Sequence, residues 1–171
     1  MKISTKNGDG GKTGLMFARP VSKASQRVRA YGMVDEFSAS LGLARAFAAG
    51  TELAGEILDI QKTLVKLMTE LATDEADFPK LAEKNIPIIS AEDLKKIEVR
   101  IDALEGEGNV FSGWKQSGES PLQAALDMAR AKCRSAEREV VALSQAGSLA
   151  RPLPLEYLNR LADLLYLFSQ R

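Results

Sequence analysis

Between Ser120 and Gln145 the chain reads SPLQAALDMARAKCRSAEREVVALSQ, and Leu122, Leu126, Ala129, Cys133, Ala136, Val140 and Leu143 recur there at alternating spacings of four and three. That alternation is a heptad seam, which keeps one face of a helix against neighbouring helices along its whole length, roughly 36 Å at about 1.5 Å per residue. Ser120 supplies an N-cap and Pro121 a first-turn proline. A helix so placed belongs at the centre of a bundle. Beside the seam Arg130, Arg134 and Glu137 repeat the spacing of four and then three, so two guanidinium groups and a carboxylate line one flank. Taken alone, that flank is equally well an exposed salt-bridge ladder or a row of ligand-facing groups.

Composition narrows the chemistry. With 171 residues a single domain, 1–171, is the economical expectation. Lys plus Arg and Asp plus Glu each total 23, so the formal charge is zero. No basic tract points to nucleic acid or an acidic membrane, which leaves small molecules or protein as partners. There is no histidine, which removes the commonest general base and metal ligand. The single cysteine, Cys133, sits on the seam and reads as a small core residue. No apolar run approaches the about 18 residues of a membrane span. The segment MKISTKNGDGG lacks the apolar stretch of a secretory signal, so a cytoplasmic protein is the expectation.

Residues 1–24 are rich in Gly, Lys, Thr and Ser and read as a loop. The GDGGKTG within them invites a phosphate-loop reading, because glycines let backbone N–H groups approach phosphate oxygens. A Walker A motif would need glycine where Lys6 stands, so that fold is rejected. A glycine-rich anion cradle and a plain flexible terminus both remain open. From the N-cap Ser25, Val28, Tyr31, Val34, Phe37 and Leu41 mark a helix ending near Gly50, with Asp35 and Glu36 beside its stripe. Leu53, Ile57, Ile60, Leu64, Leu67 and Leu71 mark a second. Between Thr73 and Ile89, Pro79 and Pro87 break the pattern into a loop. Ser90 to Asp93 resembles a capping box, opening a third helix with Leu94, Ile97, Ile101 and Leu104 inward. A second glycine-rich loop carries Trp114. Pro152 and Pro154 open a last helix with Leu155, Leu158, Leu161, Leu165 and Phe168 inward and Asn159 and Asp163 on a polar stripe. About five helices without a convincing strand pair make an all-α bundle.

Three separated segments carry a resemblance. Thr5 to Gly14, TKNGDGGKTG, is similar to the TKTGDGGTTG loop of the PduO-type ATP:cob(I)alamin adenosyltransferases, and Val21-Ser22-Lys23 with Arg27 to Glu36 resembles that family's VSKDDPRVEAYGTVDE. Ala129 to Arg138 resembles its AR-x-x-x-RRAER, and Tyr157 to Asp163 its YLNRLSD. The order and separations also fit. Departures are few: Ser135 stands at a usual arginine, Phe37-Ser38-Ala39 at the usual LNS, and Phe17-Ala18-Arg19-Pro20 at glycines before VSK. Trp114 takes the place of a phenylalanine.

The resemblance implies a five-helix bundle that trimerises and binds ATP and cobalamin at subunit boundaries. It would transfer the 5′-deoxyadenosyl group of ATP to Co(I) and release triphosphate. Because reduced cobalt is itself the nucleophile, protein groups need only orient the reactants and stabilise charge, which makes histidine dispensable. By that resemblance Thr5, Lys6, Asn7, Gly8, Thr13 and Gly14 wrap the nucleotide, Lys23 and Arg134 contact phosphates, and Glu137, Arg138 and Asn159 complete the ATP site. Asp35, Arg130, Asp163 and Trp114 serve the corrin side, with Arg130 and Asp35 counted among the catalytic residues beside Arg134. Mg²⁺ would ride on the phosphates, held by no protein ligand of its own. A flavoprotein or similar reductase and a B12-dependent acceptor enzyme are the implied protein partners. The rival readings are a non-catalytic ATP or cobalamin carrier of the same fold and a purely structural bundle.

Overall fold

The computed structural model describes residues 4, 6, 8–108 and 116–170. Among them stand six α-helices, α1 (Gln26–Phe47), α2 (Glu52–Leu71), α3 (Pro79–Glu83), α4 (Ala91–Gly106), α5 (Pro121–Gln145) and α6 (Leu153–Ser169). A small antiparallel hairpin of β1 (Lys12–Gly14) and β2 (Pro20–Ser22) precedes them. The bundle is all-α as expected, with six helices where the sequence reading has five. The sixth, α3, has only 5 residues, opens on Pro79 and lies inside the stretch read as a loop. One helical turn is too short to show a period of 3.6, and strands of 3 residues are too short to show alternation.

The seam of α5 is realised. Leu126, Ala129, Cys133, Ala136, Val140 and Leu143 are buried, and α5 lies between α1 and α6. Small residues at the centre of the seam, Ala129, Cys133 and Ala136, let both neighbours approach closely. Helix α2 packs against α1 and α4 against α6. Val34, Phe37 and Leu41 of α1, Leu64 and Leu67 of α2 and Leu158, Leu161 and Leu165 of α6 are all 0% exposed. Each such side chain contributes about 1.5–3 kcal/mol by leaving water. The Cys133 thiol donates to the Leu158 carbonyl at 3.4 Å, and burial pushes its pKa up, so it stays an inert thiol.

Local signals end the elements as their chemistry requires. Ser25 caps α1 by accepting from the Val28 N–H. Ser90 and Asp93 form a full capping box on α4. Burial alone would raise the Asp93 pKa, but hydrogen bonds from Lys66 and Ser90 outweigh it and the carboxyl ends below its ordinary value. The Lys66–Asp93 pair at 2.9 Å and the two-pronged Arg100–Glu56 pair at 2.7 and 2.9 Å tie α2 to α4.

An arginine on the buried line of α1 ties the end of α2 to the turn between α5 and α6. Arg27 is 8% exposed, one step before Ala30, Val34 and Phe37. Its guanidinium donates to the carbonyls of Leu71 (3.0 Å), Thr73 (2.7 Å) and Ser148 (2.7 Å) and to the Glu75 carboxylate (2.6 Å). It therefore caps the negative end of α2 and grips the turn between α5 and α6 at once. Arg19, next to β2, reaches Asp77 at 2.6 Å, and hydrogen bonds from Arg19 and Lys80 hold the Asp77 carboxyl at about 2.

Candidate active site

Helix α5 presents its charged flank to one side of the bundle, and the residues on it differ sharply in how they are engaged. Arg130 is half-buried and its Nε donates to Asp127 at 3.3 Å, leaving the two terminal nitrogens for another acceptor. Arg134, one turn on, is exposed and makes no hydrogen bond or ion pair among the described residues. A guanidinium without a protein partner is a ready receptor for a phosphate. Arg138 folds back onto the Ser135 hydroxyl at 2.9 Å, and Ser135 in turn donates to the Ala131 carbonyl at 3.1 Å. The flank is thus not a continuous salt-bridge ladder.

Glu137 meets α6. The Asn159 amide donates to the Glu137 carboxylate at 2.9 Å, while Arg160 donates to the Asn159 carbonyl oxygen at 2.9 Å and lies 3.7 Å from the Glu98 carboxylate. These four side chains border a cleft of about 350 Å³ between α4, α5 and α6, floored by Leu94, Val141 and Leu155. Asp163 is exposed one turn beyond Asn159. A larger cleft, about 630 Å³, lies between α2 and α4, but Lys66, Lys62 and Arg100 on its walls are each already paired with Asp93, Asp59 and Glu56.

The N-terminal cradle takes shape at the start of α1. Lys12 faces Ser22, Thr13 faces Val21 and Gly14 faces Pro20 across the hairpin. The Lys23 N–H then donates to the Gly11 carbonyl at 2.9 Å, where Gly11 has φ +73, a conformation suited to glycine. The turn so formed folds back over Lys23: a Cβ on Gly8 would lie 2.7 Å from the Lys23 ammonium. Lys6 is exposed and Thr13 half-buried, and Thr5, Asn7 and Trp114 lie outside the described residues. Gln26 ties this end of α1 to α5 by donating to the Glu139 carboxylate at 2.8 Å and its carbonyl at 3.1 Å.

The structure brings Glu137 and Asn159 together and puts Arg134 a turn before Glu137 on α5. No hydrogen bond or ion pair joins Asp35 to Arg130 among the described residues. Asp35 is exposed on α1, and its neighbour Glu36 takes the cross-helix pair, with Lys132 at 2.7 Å. Sequence reasoning missed Arg27, Arg19, Glu98 and Arg160. A signal existed for Arg27, since the buried line of α1 runs back onto it. For Glu98 there was none, because its role depends on where α4 lies against α6.

A glycine turn over a lysine, an unpartnered arginine and a carboxylate–amide pair beside a cleft define a helical bundle equipped for a phosphorylated, hydroxyl-bearing ligand. The comparisons make the family explicit: the profile of the cobalamin adenosyltransferases matches residues 3–171, and this chain belongs to that family. It is 37% identical over 172 residues to the corrinoid adenosyltransferase of Bacillus subtilis (strain 168), covering 97% of this chain and 83% of that one. To the corrinoid adenosyltransferase of Citrobacter freundii it is 33% identical, with 96% of this chain and 91% of the relative covered. Among solved structures, a variant PduO-type ATP:corrinoid adenosyltransferase from Lactobacillus reuteri, complexed with cobalamin and ATP, superposes with a TM-score of 0.88 at 29% identity. That match spans 98% of this chain and 91% of the other.

Proposed function

We propose that this chain transfers the 5′-deoxyadenosyl group of ATP to the cobalt of cob(I)alamin, giving adenosylcobalamin and triphosphate. In this step the Co(I) electron pair forms the bond to C5′ while the C5′–O bond breaks and its pair leaves on the triphosphate. The observation that carries the reading is the unpartnered Arg134 guanidinium, one turn from the Glu137–Asn159 pair. Its fixed charge is aimed at a leaving group whose negative charge grows in the transition state. Lys23 and the Gly8–Gly14 turn supply a second cationic, glycine-lined surface for the phosphates. Among the described residues no three Asp, Glu or Cys side chains gather to hold a metal. Mg²⁺ would travel on the phosphate oxygens, where it would neutralise charge.

The corrin side belongs to Asp35, Arg130, Asp163 and Trp114 in this proposal. Leu43 and Phe47, one turn apart on α1, and Met128 on α5 are 53, 51 and 55% exposed. Such exposed apolar bulk supports a homotrimer, in which Asp35 would pair with Arg130 of the neighbouring subunit. A sedimenting monomer with full activity would remove that assembly. A reductase supplying Co(I) and a B12-dependent enzyme taking the product are the protein partners the reaction calls for. No described helix is long and apolar enough to cross a membrane.

The test is direct. Protein, ATP, Mg²⁺ and chemically reduced cobalamin are mixed, and the corrin spectrum is followed for adenosylcobalamin. Turnover is expected; tight binding of ATP and cobalamin with no spectral conversion would identify a carrier instead.

A further inference from the structure

We infer that Glu98 and Arg160 are positioning residues that shape the cleft at Glu137 and Asn159 into a reader of a nucleotide ribose hydroxyl, which rests on the proposal that these two side chains meet ATP. Arginine only donates hydrogen bonds, so the Asn159 atom 2.9 Å from Arg160 must be the amide oxygen. The amide nitrogen is thereby turned to Glu137, to which it donates at 2.9 Å. One hydrogen of that nitrogen and the second oxygen of Glu137 remain unused. They form an adjacent donor and acceptor.

A hydroxyl satisfies both at once, donating to Glu137 and accepting from Asn159. A phosphate can only accept, and would meet Glu137, Glu98 and Glu156 on the same cleft. The cleft therefore takes the neutral, hydroxyl-bearing part of the nucleotide and leaves the phosphates to Arg134. Glu98 keeps Arg160 pointed along this line from 3.7 Å, and both side chains are about half exposed, 46% and 48%. Exposed pairs of this kind contribute little to stability. Their effect should be read in recognition rather than in folding.

The experiment measures the affinity of the full chain for ATP, 2′-deoxy-ATP and 3′-deoxy-ATP by calorimetry, together with thermal stability. Wild type is expected to reject at least one deoxy analogue by roughly tenfold or more, as sites built to bond a hydroxyl do. Arg160→Met and Glu98→Gln should weaken ATP several-fold, leave that deoxy analogue within about twofold, and keep the melting temperature. Arg160→Met added to Asn159→Ala should cost less than about twofold more, because the two act as one unit. Equal loss for ATP and both analogues, wild-type discrimination in Arg160→Met, or no discrimination in wild type would each overturn the inference. If Glu137→Ala binds ATP as wild type does, the nucleotide lies elsewhere and the underlying site assignment fails with it. If Glu137→Ala loses ATP while Arg160→Met still discriminates, only the relay falls.

Discussion

Replacing Arg27 by methionine keeps an unbranched stem in the buried position and deletes only the guanidinium. Three carbonyls, of Leu71, Thr73 and Ser148, then lose their donor, and the Glu75 carboxylate loses its partner. Each hydrogen bond from a charged group contributes about 1.5–3 kcal/mol net, but the four share one side chain and do not add. Glu75 is 39% exposed and can return to water, whereas the site around Arg27 is nearly closed. A loss of about 3–5 kcal/mol follows, the range for breaking a buried charged network. In a domain of this size that lowers the melting temperature by roughly 10 °C. Circular dichroism melts of Arg27→Met and Arg27→Lys check it, with the lysine variant recovering only part because one ammonium cannot span acceptors on three segments. A drop under about 3 °C in Arg27→Met would refute the anchoring role.

The other expectations concern the nucleotide and acid. Arg134→Ala should lower the rate of transfer a hundredfold or more, since a preorganised donor to developing charge contributes about 3–4 kcal/mol; stopped-flow turnover near wild type removes Arg134 from the mechanism. Gly8→Ala should weaken ATP binding with little change in melting temperature, because its methyl would sit 2.7 Å from the Lys23 ammonium and push that flexible side chain away; unchanged affinity would show that Lys23 is not on the phosphates. Asp77 titrates at about 2 in the fold and near 3.9 unfolded, so its contribution is complete above about pH 4 and is lost as pH falls towards 2. Asp77→Asn should therefore show a shallower loss of stability across that window in acid titrations.

What could be read from the sequence depended on the length of the pattern that carried it. Five long helices and their inward faces were legible because seams such as Leu126–Ala129–Cys133–Ala136 repeat for several turns, and an apolar seam admits no other packing. The hairpin and α3 were not, being too short for the period of the signal that would betray them to repeat. In the site, Arg134, Glu137 and Asn159 stood out by motif, yet the spacing alone left a salt-bridge ladder open. Only the geometry separates a free Arg134 from an Arg138 already bonded to Ser135. Glu98 and Arg160 act across α4 and α6, and a contact between elements has no local sequence signature.

The segment Phe17-Ala18-Arg19-Pro20 marks where chain-specific sequence meets a backbone that prefers glycine. Phe17 and Ala18 both adopt left-handed conformations, with φ 60 and 59, which costs a residue with a Cβ about 1–2 kcal/mol. The fold tolerates it because the Leu15 N–H donates to the Arg19 carbonyl at 2.8 Å, Met16 to the Ala72 carbonyl at 2.9 Å, and Lys80 lies 5.7 Å from the centre of the Phe17 ring. The two residues should therefore respond in opposite directions to glycine. Ala18 is exposed and its methyl has little to lose. Relief of the strain, less the about 0.4–1 kcal/mol that glycine adds to the freedom of the unfolded chain, leaves Ala18→Gly more stable by about 0.5–1 kcal/mol. Phe17→Gly gains the same relief but gives up the half-buried ring and its contact with Lys80, and should be less stable than wild type. Melting temperatures of the two variants decide it: a rise of roughly 1–3 °C for Ala18→Gly beside a fall for Phe17→Gly is expected. A fall for Ala18→Gly would mean that the turn is shaped by contacts of the methyl group and stores no backbone strain.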